Sequence, residues 1–270
     1  MLCVSDLFIY PIKSLAGISV QAGKVTERGF EYDRRWLLVD SNNSFLTLRK
    51  YPSMSLIQPS LQEDGMTIST KAKDQEDLFV PFLVDQELEE EVTIWNATCL
   101  AQVYSDKVNQ WFGTVIGTPC KLVFMPDHSW RPVDTTSGFK PKGKFTSFAD
   151  AYPFMMMSRA SLADIDRRTK LHMSFARFRP NIVFQGGIPY QEDEMERFEI
   201  NGIQFTGLEK CARCNVPNVD PETAQMDPNK ETIKTLASYR LENGKVNLGM
   251  NLVHEGEGTI KVGDELKIIQ

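Results

Sequence analysis

Residues 36–48, WLLVDSNNSFLTL, contain two short apolar runs, Trp36–Val39 and 45–48, on either side of the Asn42-Asn43 pair. Runs of this kind, separated by turn-forming residues, are typical of a β-hairpin. The pattern continues on both sides of this stretch, with strands predicted at 2–10, 19–25, 66–69, 78–84 and 92–95. Asp64-Gly65 marks a further break between strands. The first hundred residues are therefore predicted to be all-β.

The rest of the chain mixes strands with a few helices. A helix is predicted over 106–115, because apolar residues recur there at i, i+3, i+4 and i+7 before Gly117 and Pro119. A strand at 154–157 is predicted to lead into a helix for which Ser158 is the N-cap. A polar stretch at 126–147, with three prolines and three lysines, is predicted to be a loop. Further strands are predicted at 120–125, 181–184, 197–200, 204–206 and 259–269, and a further helix at 230–239.

These elements predict a mainly β protein with inserted helices, an α+β fold. At 270 residues the chain exceeds the usual size of one domain, so two domains are predicted. The division is placed after the helix at 106–115, which gives domains 1–116 and 117–270. The second is expected to be a β-rich barrel with helical insertions.

Composition excludes several classes of protein. The net charge of -6 argues against nucleic acid as a partner, which would require clustered Lys and Arg. No apolar run reaches the roughly 18 residues of a membrane span, and the amino terminus lacks the basic start of a secretory signal, so no membrane association is expected. Five cysteines, an odd number, suit a reducing compartment better than a disulfide framework. A cytoplasmic location is predicted.

The Cys211-Ala212-Arg213-Cys214 stretch is the sharpest local feature. A thioredoxin-like role would require a helix after Cys214, and Pro217 and Pro221 argue against one. A structural zinc site would require four ligands, and the three histidines offer no matching pair. Two buried cysteines that act as small hydrophobic residues remain an alternative. Another is a soft thiolate ligand to a metal, favoured by the charge and donors of Arg213 beside it.

Cations and amides elsewhere are candidates for an anion site. Lys13 and Ser14 follow a strand at Pro11, where the chain turns outward. Arg34 and Arg35 open the next strand, so only one of the two is expected to face inward. Arg179 and Asn181 flank a proline at another strand start. Together they provide the planar donors and amides that a phosphate-bearing heterocyclic cofactor requires.

Five ordered motifs resemble the MOSC-domain proteins with an amino-terminal MOSC-type barrel, a family that includes the mitochondrial amidoxime reducing component. The resemblance covers nearly the whole chain. The motifs are YPIKS at 10–14 with Gly17, Asp33-Arg34, FRPNIV at 178–183, CARC at 211–214 with Val219-Asp220-Pro221, and GTIKVGD at 258–264.

The resemblance implies a MOSC-type β-barrel packed against an amino-terminal barrel, with a molybdenum-molybdopterin cofactor between them. Cys214 would be the metal ligand and the catalytic residue. The residues implied to hold the cofactor are Lys13, Ser14, Arg34, Asp150, Ala151, Tyr152, Arg179, Asn181, Ala212, Arg213, Cys214 and Asn251. The activity implied is that of an oxidoreductase which reduces small N-hydroxylated (N-oxygenated) compounds. Because no ferredoxin-like cysteine cluster follows, electrons would come from a separate ferredoxin-, flavin- or cytochrome-type protein.

The sequence departs from the family at several positions. Asp150 is followed by Ala151 and Tyr152, where the amidoxime-reducing relatives carry small hydroxyl residues, so cofactor contacts there are expected through the backbone. Ala224 stands where the family has a glycine, so a differently shaped turn is expected there. Asn251 replaces a tyrosine of some relatives.

Two other functions compete with the reductase. The chain could carry the molybdenum cofactor or handle its sulfur, because MOSC domains also occur in molybdenum cofactor sulfurases. Sulfurase chemistry needs a pyridoxal-phosphate domain, and this chain is too short to hold both. The barrel could also bind an unrelated anion, with Cys214 merely buried.

Overall fold

The structure, a computed structural model, describes residues 1–71, 75–84, 86–134 and 141–269. Its strands are β1 (Cys3–Ile9), β2 (Ile18–Val20), β3 (Ala22–Thr26), β4 (Gly29–Phe30), β5 (Trp36–Val39), β6 (Ile57–Leu61), β7 (Gly65–Thr70), β8 (Leu78–Pro81), β9 (Glu89–Ile94), β10 (Ala97–Val103), β11 (Lys121–Phe124), β12 (Phe154–Ser158), β13 (Ile182–Gln185), β14 (Arg197–Ile200), β15 (Ile203–Ala212), β16 (Leu241–Glu242), β17 (Lys245–Glu255), β18 (Gly258–Lys261) and β19 (Leu266–Ile268). Its helices are α1 (Asp106–Ile116), α2 (Arg159–Arg168), α3 (Phe175–Phe178) and α4 (Glu231–Arg240), with 3-10 turns at Pro52–Leu56, Gln191–Glu194 and Val216–Asn218. The predicted fold class, mainly β with inserted helices, is confirmed.

The largest sheet has nine strands. Its order is β19-β14-β15-β17-β12-β13-β1-β2, with β16 paired to β17. The β12–β13 pair is parallel, and the other pairs are antiparallel. Three smaller sheets have the orders β5-β11-β10-β9, β18-β3-β4 and β6-β7-β8.

Strand pairing joins the two halves of the chain. Cys3 at the start of β1 pairs with Gln185 in β13, and β3 pairs with β18 near the carboxyl end. A third pairing, between β5 and β11, also joins the two halves. The sheets therefore cross the predicted division at 116/117, and the domain boundaries remain a prediction.

Two large apolar cores stabilise this arrangement. One surrounds Trp36 and Met66 and receives the apolar face of α1. The other surrounds Phe154 and Phe205 in the large sheet. Buried Val108, Trp111, Phe112 and Ile116 give α1 its apolar face, and Gly117 ends the helix at a φ of 80°. The prediction of this helix is confirmed, as is Ser158 as the N-cap of α2, where its hydroxyl accepts a hydrogen bond from the Ser161 amide.

Some strand predictions were wrong. The stretch 45–48 is not a strand, because the chain turns immediately afterwards, where the amides of Lys50 and Tyr51 donate to the Thr47 carbonyl. Phe45 makes only an isolated bridge to Val39. The runs at 19–25 and 259–269 each divide into two strands. The prediction missed β6, β10 and the central strand β17, although apolar residues alternate with polar residues and Gly249 over 246–252.

The predicted loop at 126–147 falls partly on 135–140, outside the described residues. Its remaining residues contain an isolated bridge between Pro132 and Phe145 but no strand or helix. Among the helices in the described ranges, none is long and apolar enough to cross a membrane.

Candidate active site

All twelve predicted cofactor-site residues line one cavity of about 360 Å³, in the size range of small-molecule sites. These residues come from several different elements of the fold. Lys13 and Ser14 follow β1, Arg34 precedes β5, Arg179 ends α3, and Cys214 follows β15. The structure thus brings the predicted residues together, although their role in binding a cofactor remains a prediction.

Three of these residues have left-handed backbones. The φ angles are 71° at Ser14, 49° at Arg34 and 59° at Arg179. Such angles are uncommon for residues other than glycine and cluster at functional sites, where the surrounding structure holds them. Arg34 therefore reaches the cavity from a turn and not by strand alternation, while Arg35 contacts Asp127 and the Met125 carbonyl instead.

The Tyr10 ring organises two of the arginines. The guanidinium carbons of Arg34 and Arg179 lie 4.3 and 4.2 Å from its centroid. The Tyr10 hydroxyl donates to the Pro180 carbonyl at 3.1 Å, and burial raises the pKa of Tyr10 to about 12, so the ring stays neutral. Gly17 lies so close that a Cβ there would be 2.4 Å from Tyr10 Cε1. Sequence reasoning missed Tyr10, although it begins the YPIKS motif.

Arg34 is held in place by a buried ion pair. Its Nη1 donates to Asp33 Oδ2 at 2.6 Å and to Asn181 Oδ1 at 3.0 Å. Asp33 also accepts a hydrogen bond from the Tyr10 amide at 2.8 Å. Asn181 donates through Nδ2 to the Phe8 carbonyl at 3.2 Å and is 1% exposed. Its amide is thus largely used within the protein and orients Arg34.

Lys13 and Asp150 form an ion pair at the cavity wall. Lys13 Nζ donates to Asp150 Oδ1 at 2.5 Å and to the Phe148 carbonyl at 2.9 Å. Burial lowers the pKa of Lys13 to about 8, although Asp150 opposes this shift. Desolvation raises the pKa of the Asp150 carboxyl. The Lys13 ammonium and the Trp95 indole lower it by more, so the pKa stays below its usual range. The carboxylate itself is exposed to the cavity, at 75% of its side-chain surface.

The loop that carries Asp150 is fixed by a buried arginine. Arg131 donates to the carbonyls of Ser147, Ala149 and Asp150. Within the described part of the chain, no acceptor takes a hydrogen bond from the amides of Asp150, Ala151 or Tyr152. These amides are therefore unused within the described part of the protein, and the expected backbone contacts with a cofactor remain a prediction.

Cys214 is exposed in the cavity, whereas Cys211 is half-buried and packs against an apolar cluster. Burial raises the pKa of the Cys211 thiol, and Arg213 opposes that shift. All five cysteines are free, and no α-helix follows Cys214, only the 3-10 turn at Val216–Asn218. Within the described ranges, no three His, Cys, Asp or Glu side chains group as a metal site.

The donors of Arg213 are already used within the protein, and its role in binding a cofactor remains a prediction. Its Nε and Nη2 donate to the Leu248 carbonyl at 2.9 and 2.6 Å, and its Nη1 donates to the Phe178 carbonyl at 2.9 Å. The donors of the guanidinium therefore hold the CARC segment against neighbouring backbone, and Nη2 also contacts the Met155 sulfur at 3.3 Å; among the described residues, none of these contacts is to Cys211 or Cys214. The positive charge still lies at the cavity wall.

The cavity has more cations than carboxylates. Lys13 pairs with Asp150, Arg34 with Asp33, and Arg177 with Asp220. Among the described residues, Arg49, Arg179 and Arg213 also line the cavity without a carboxylate in salt-bridge contact. Burial lowers the pKa of Arg179 to about 10, so it remains charged at neutral pH. Excess positive charge of this kind favours an anionic ligand.

The turn after Val219-Asp220-Pro221 keeps a glycine-like shape despite Ala224. Ala224 has a φ of 58°, and its amide donates to the Asp220 carbonyl at 2.8 Å. Asp220 accepts hydrogen bonds from the amides of Glu222 and Thr223 and from Arg177. This network holds alanine in the left-handed region, and the expected difference in turn shape from the family remains a prediction.

Comparison with known proteins agrees with this architecture. The family model "MOSC N-terminal beta barrel domain" matches residues 1–119, and the model "MOSC domain" matches residues 144–267. Mitochondrial amidoxime-reducing component 1 of Homo sapiens is 32% identical, over 98% of this chain and 82% of that protein. The chain belongs to the MOSC-domain family. The family resemblance in its motifs is confirmed.

Other MOSC relatives differ in how much of them this chain spans. Mitochondrial amidoxime reducing component 2 of Bos taurus is 30% identical over 97% of this chain and 81% of that protein. The molybdenum cofactor sulfurase of Oryza sativa subsp. japonica is 31% identical over 99% of this chain. This MOSC chain spans only 35% of the rice sulfurase.

Proposed function

We propose that this chain binds a pterin-based molybdenum cofactor in the basic cavity, with Cys214 as the metal ligand, and reduces N-hydroxylated compounds. The observation that carries the proposal is the exposed Cys214 thiol in a cavity with uncompensated arginines. A thiolate is a soft ligand that suits a sulfur-ligated metal, and fixed guanidinium groups suit a phosphate. The residues present therefore fit such a cofactor.

Arg34 and Arg179 would hold the phosphate of the cofactor. Arg34 and Arg179 are preorganised on the two sides of Tyr10, so they lose little freedom when they bind an anion. Ser14 and the third donor of Lys13 Nζ lie on the same wall. The amides of 150–152 and the side chain of Asn251 are available to the polar edges of a heterocycle.

The bound cofactor would supply two-electron redox chemistry at molybdenum. Reduction of an amidoxime to an amidine breaks the N–O bond, takes up two electrons and two protons, and releases water. The electrons would come from a separate ferredoxin-, flavin- or cytochrome-type protein. Asp150, kept ionised beside Lys13 and Trp95, presents its Oδ2 atom to the cavity and would accept a hydrogen bond from the amino group of the substrate.

Purification from a host that makes the cofactor tests this proposal. We expect about one molybdenum and one pterin per chain, and conversion of benzamidoxime to benzamidine with reduced methyl viologen as artificial donor. Loss of both metal and pterin, even after deliberate loading, would contradict cofactor binding.

A second candidate is a cofactor carrier or sulfur-handling protein without its own reductase activity. The similarity to the rice sulfurase over 99% of this chain favours it. The same experiment separates the two, because a carrier would bind molybdenum and pterin but form no benzamidine. A cavity that takes sulfate and rejects the cofactor would indicate the unrelated-anion alternative.

Lys13 makes anion binding dependent on pH. Because the burial of Lys13 lowers its pKa to about 8, its charge is lost as the pH rises through that value. We expect the affinity of the cofactor-free protein for sulfate to fall by up to about tenfold per pH unit above about pH 8. Sulfate keeps its own charge across this range. Calorimetric titration of Lys13→Arg is expected to give a flat profile, and a profile as steep as that of the wild type would exclude Lys13 as the cause.

A further inference from the structure

Trp95 occupies an unusual position at the edge of the cavity. It is the first residue of the two-residue turn between β9 and β10, since Ile94 pairs with Ala97, and its φ is 54°. A bulky aromatic residue in this region is a conformational outlier, because tight hairpins favour Asn or Gly there. The side chain is nevertheless 42% exposed. Its backbone angle is strained, and strain of this kind clusters at functional sites.

Contacts hold the indole of Trp95 at the cavity wall. Its Nε1 donates to Asp150 Oδ1 at 3.1 Å, and its ring lies 4.9 Å from the Phe45 ring. Both rings line the cavity that also contains Cys214. The strained turn thus presents a fixed aromatic surface to the site.

Arg49 lies on this surface. Its guanidinium carbon is 4.4 Å from the centroid of the Trp95 ring. Within the described ranges, the guanidinium has no hydrogen-bond acceptor and no carboxylate partner, and it is exposed. An arginine over an aromatic ring is oriented by that ring while its donors stay available in the guanidinium plane. Arg49 is therefore a preorganised fork for a carboxylate.

We propose that Arg49, positioned by Trp95, binds a carboxylate group on the reducible substrate and so selects anionic N-hydroxylated compounds. This inference rests on the proposed function. Arg34 and Arg179 are stacked on Tyr10 and belong to two of the five motifs quoted above, whereas Arg49 lies outside those five and contacts a different ring. Arg49 is therefore separate from the two arginines proposed to hold the phosphate, and it can bind a second anionic group, the carboxylate of a substrate.

The test compares benzamidoxime with 4-carboxybenzamidoxime as substrates of the molybdenum-loaded protein. We expect kcat/KM to be about tenfold or more higher for the carboxylate, through KM. In Arg49→Gln this ratio is expected to approach one. Lys50→Gln, a neighbouring exposed cation outside the cavity, is expected to keep it. Trp95→Ala is expected to lower the ratio and Trp95→Phe to restore most of it.

A binding measurement separates this inference from the proposed function. Calorimetry with 4-carboxybenzamide and benzamide, which have no N–O bond, is expected to show the same preference and its loss in Arg49→Gln. If neither amidoxime is reduced but the carboxylate-bearing amide still binds more tightly, the proposed reductase activity is wrong and the carboxylate site at Arg49 is supported. Equal binding of both amides by the wild type, or loss of molybdenum in Arg49→Gln, would overturn the role of Arg49 as a substrate residue.

Discussion

Cys214→Ala is expected to remove molybdenum from the purified protein, whereas Cys211→Ala retains most of it. Both cysteines line the cavity, but Cys214 is exposed, whereas Cys211 is half-buried against the apolar cluster around Phe178 and Leu248. In Cys214→Ala the protein would keep its contacts with the phosphate of the cofactor but would lose its own bond to the metal. The measurement is elemental analysis for molybdenum, with wild type and both variants purified in parallel from a cofactor-producing host.

The two cysteines are matched in chemistry and only three residues apart, so each variant controls for the other. Unfolding in urea shows whether either variant has lost its fold, and Cys214→Ala is expected to keep the wild-type midpoint because its side chain is exposed. Equal molybdenum contents in the two folded variants would refute Cys214 as the ligand. Cys214→Ser, which keeps the size of the side chain but not the soft sulfur, is expected to lose the metal as well.

The sequence predicted the class of fold because apolar periodicity and turn pairs are local signals. The helix at α1 and the cap at Ser158 follow from such signals, and both are confirmed. The chain's course through the large sheet does not follow from them, since β1 pairs with β13 from far along the sequence. The central strand β17 is a different case: its alternation over 246–252 is a local signal that the prediction overlooked, and only its central place between β15 and β12 required the structure.

The site could be predicted only as a set of residues. Motifs identified Lys13, Arg34 and Cys214, which the structure brings to one cavity, yet the motifs could not reveal which donors are already used. Arg213 donates to the backbone carbonyls of Phe178 and Leu248, and Asn181 donates to that of Phe8. These contacts depend on the tertiary structure. Trp95 and Arg49 lay outside the five motifs. A strained backbone angle, and a guanidinium without a carboxylate partner among the described residues, are visible only in three dimensions.

Arg34→Gln is expected to lower the free energy of unfolding by about 3 kcal/mol or more, because it leaves the Asp33 carboxylate buried without its cation. Asp33 is 3% exposed and its partner 12%. Arg35→Gln is the matched control, and we expect it to cost about 1 kcal/mol or less, since its partner Asp127 is 93% exposed. Urea unfolding of the cofactor-free protein measures both. A similar loss in the two variants would contradict a special role for the buried pair.

The double variant Asp33→Asn/Arg34→Gln tests the cause of that loss. The neutral amide introduced at position 33 can still accept a hydrogen bond from the Tyr10 amide and can donate to the amide introduced at position 34, so at least about 1 kcal/mol should return relative to Arg34→Gln.

The pH dependence of stability adds a second check. Burial already raises the pKa of Asp33, and Arg34 is the main opposing influence, so its removal raises that pKa further. When the folded-state pKa of a carboxyl lies above its unfolded value of about 3.9, the folded protein loses stability as the pH rises from the unfolded pKa through the folded one. The deficit of Arg34→Gln should therefore be small in acid and largest at neutral pH, and a deficit that stays constant with pH would show that lost packing, not the unpaired carboxylate, is responsible.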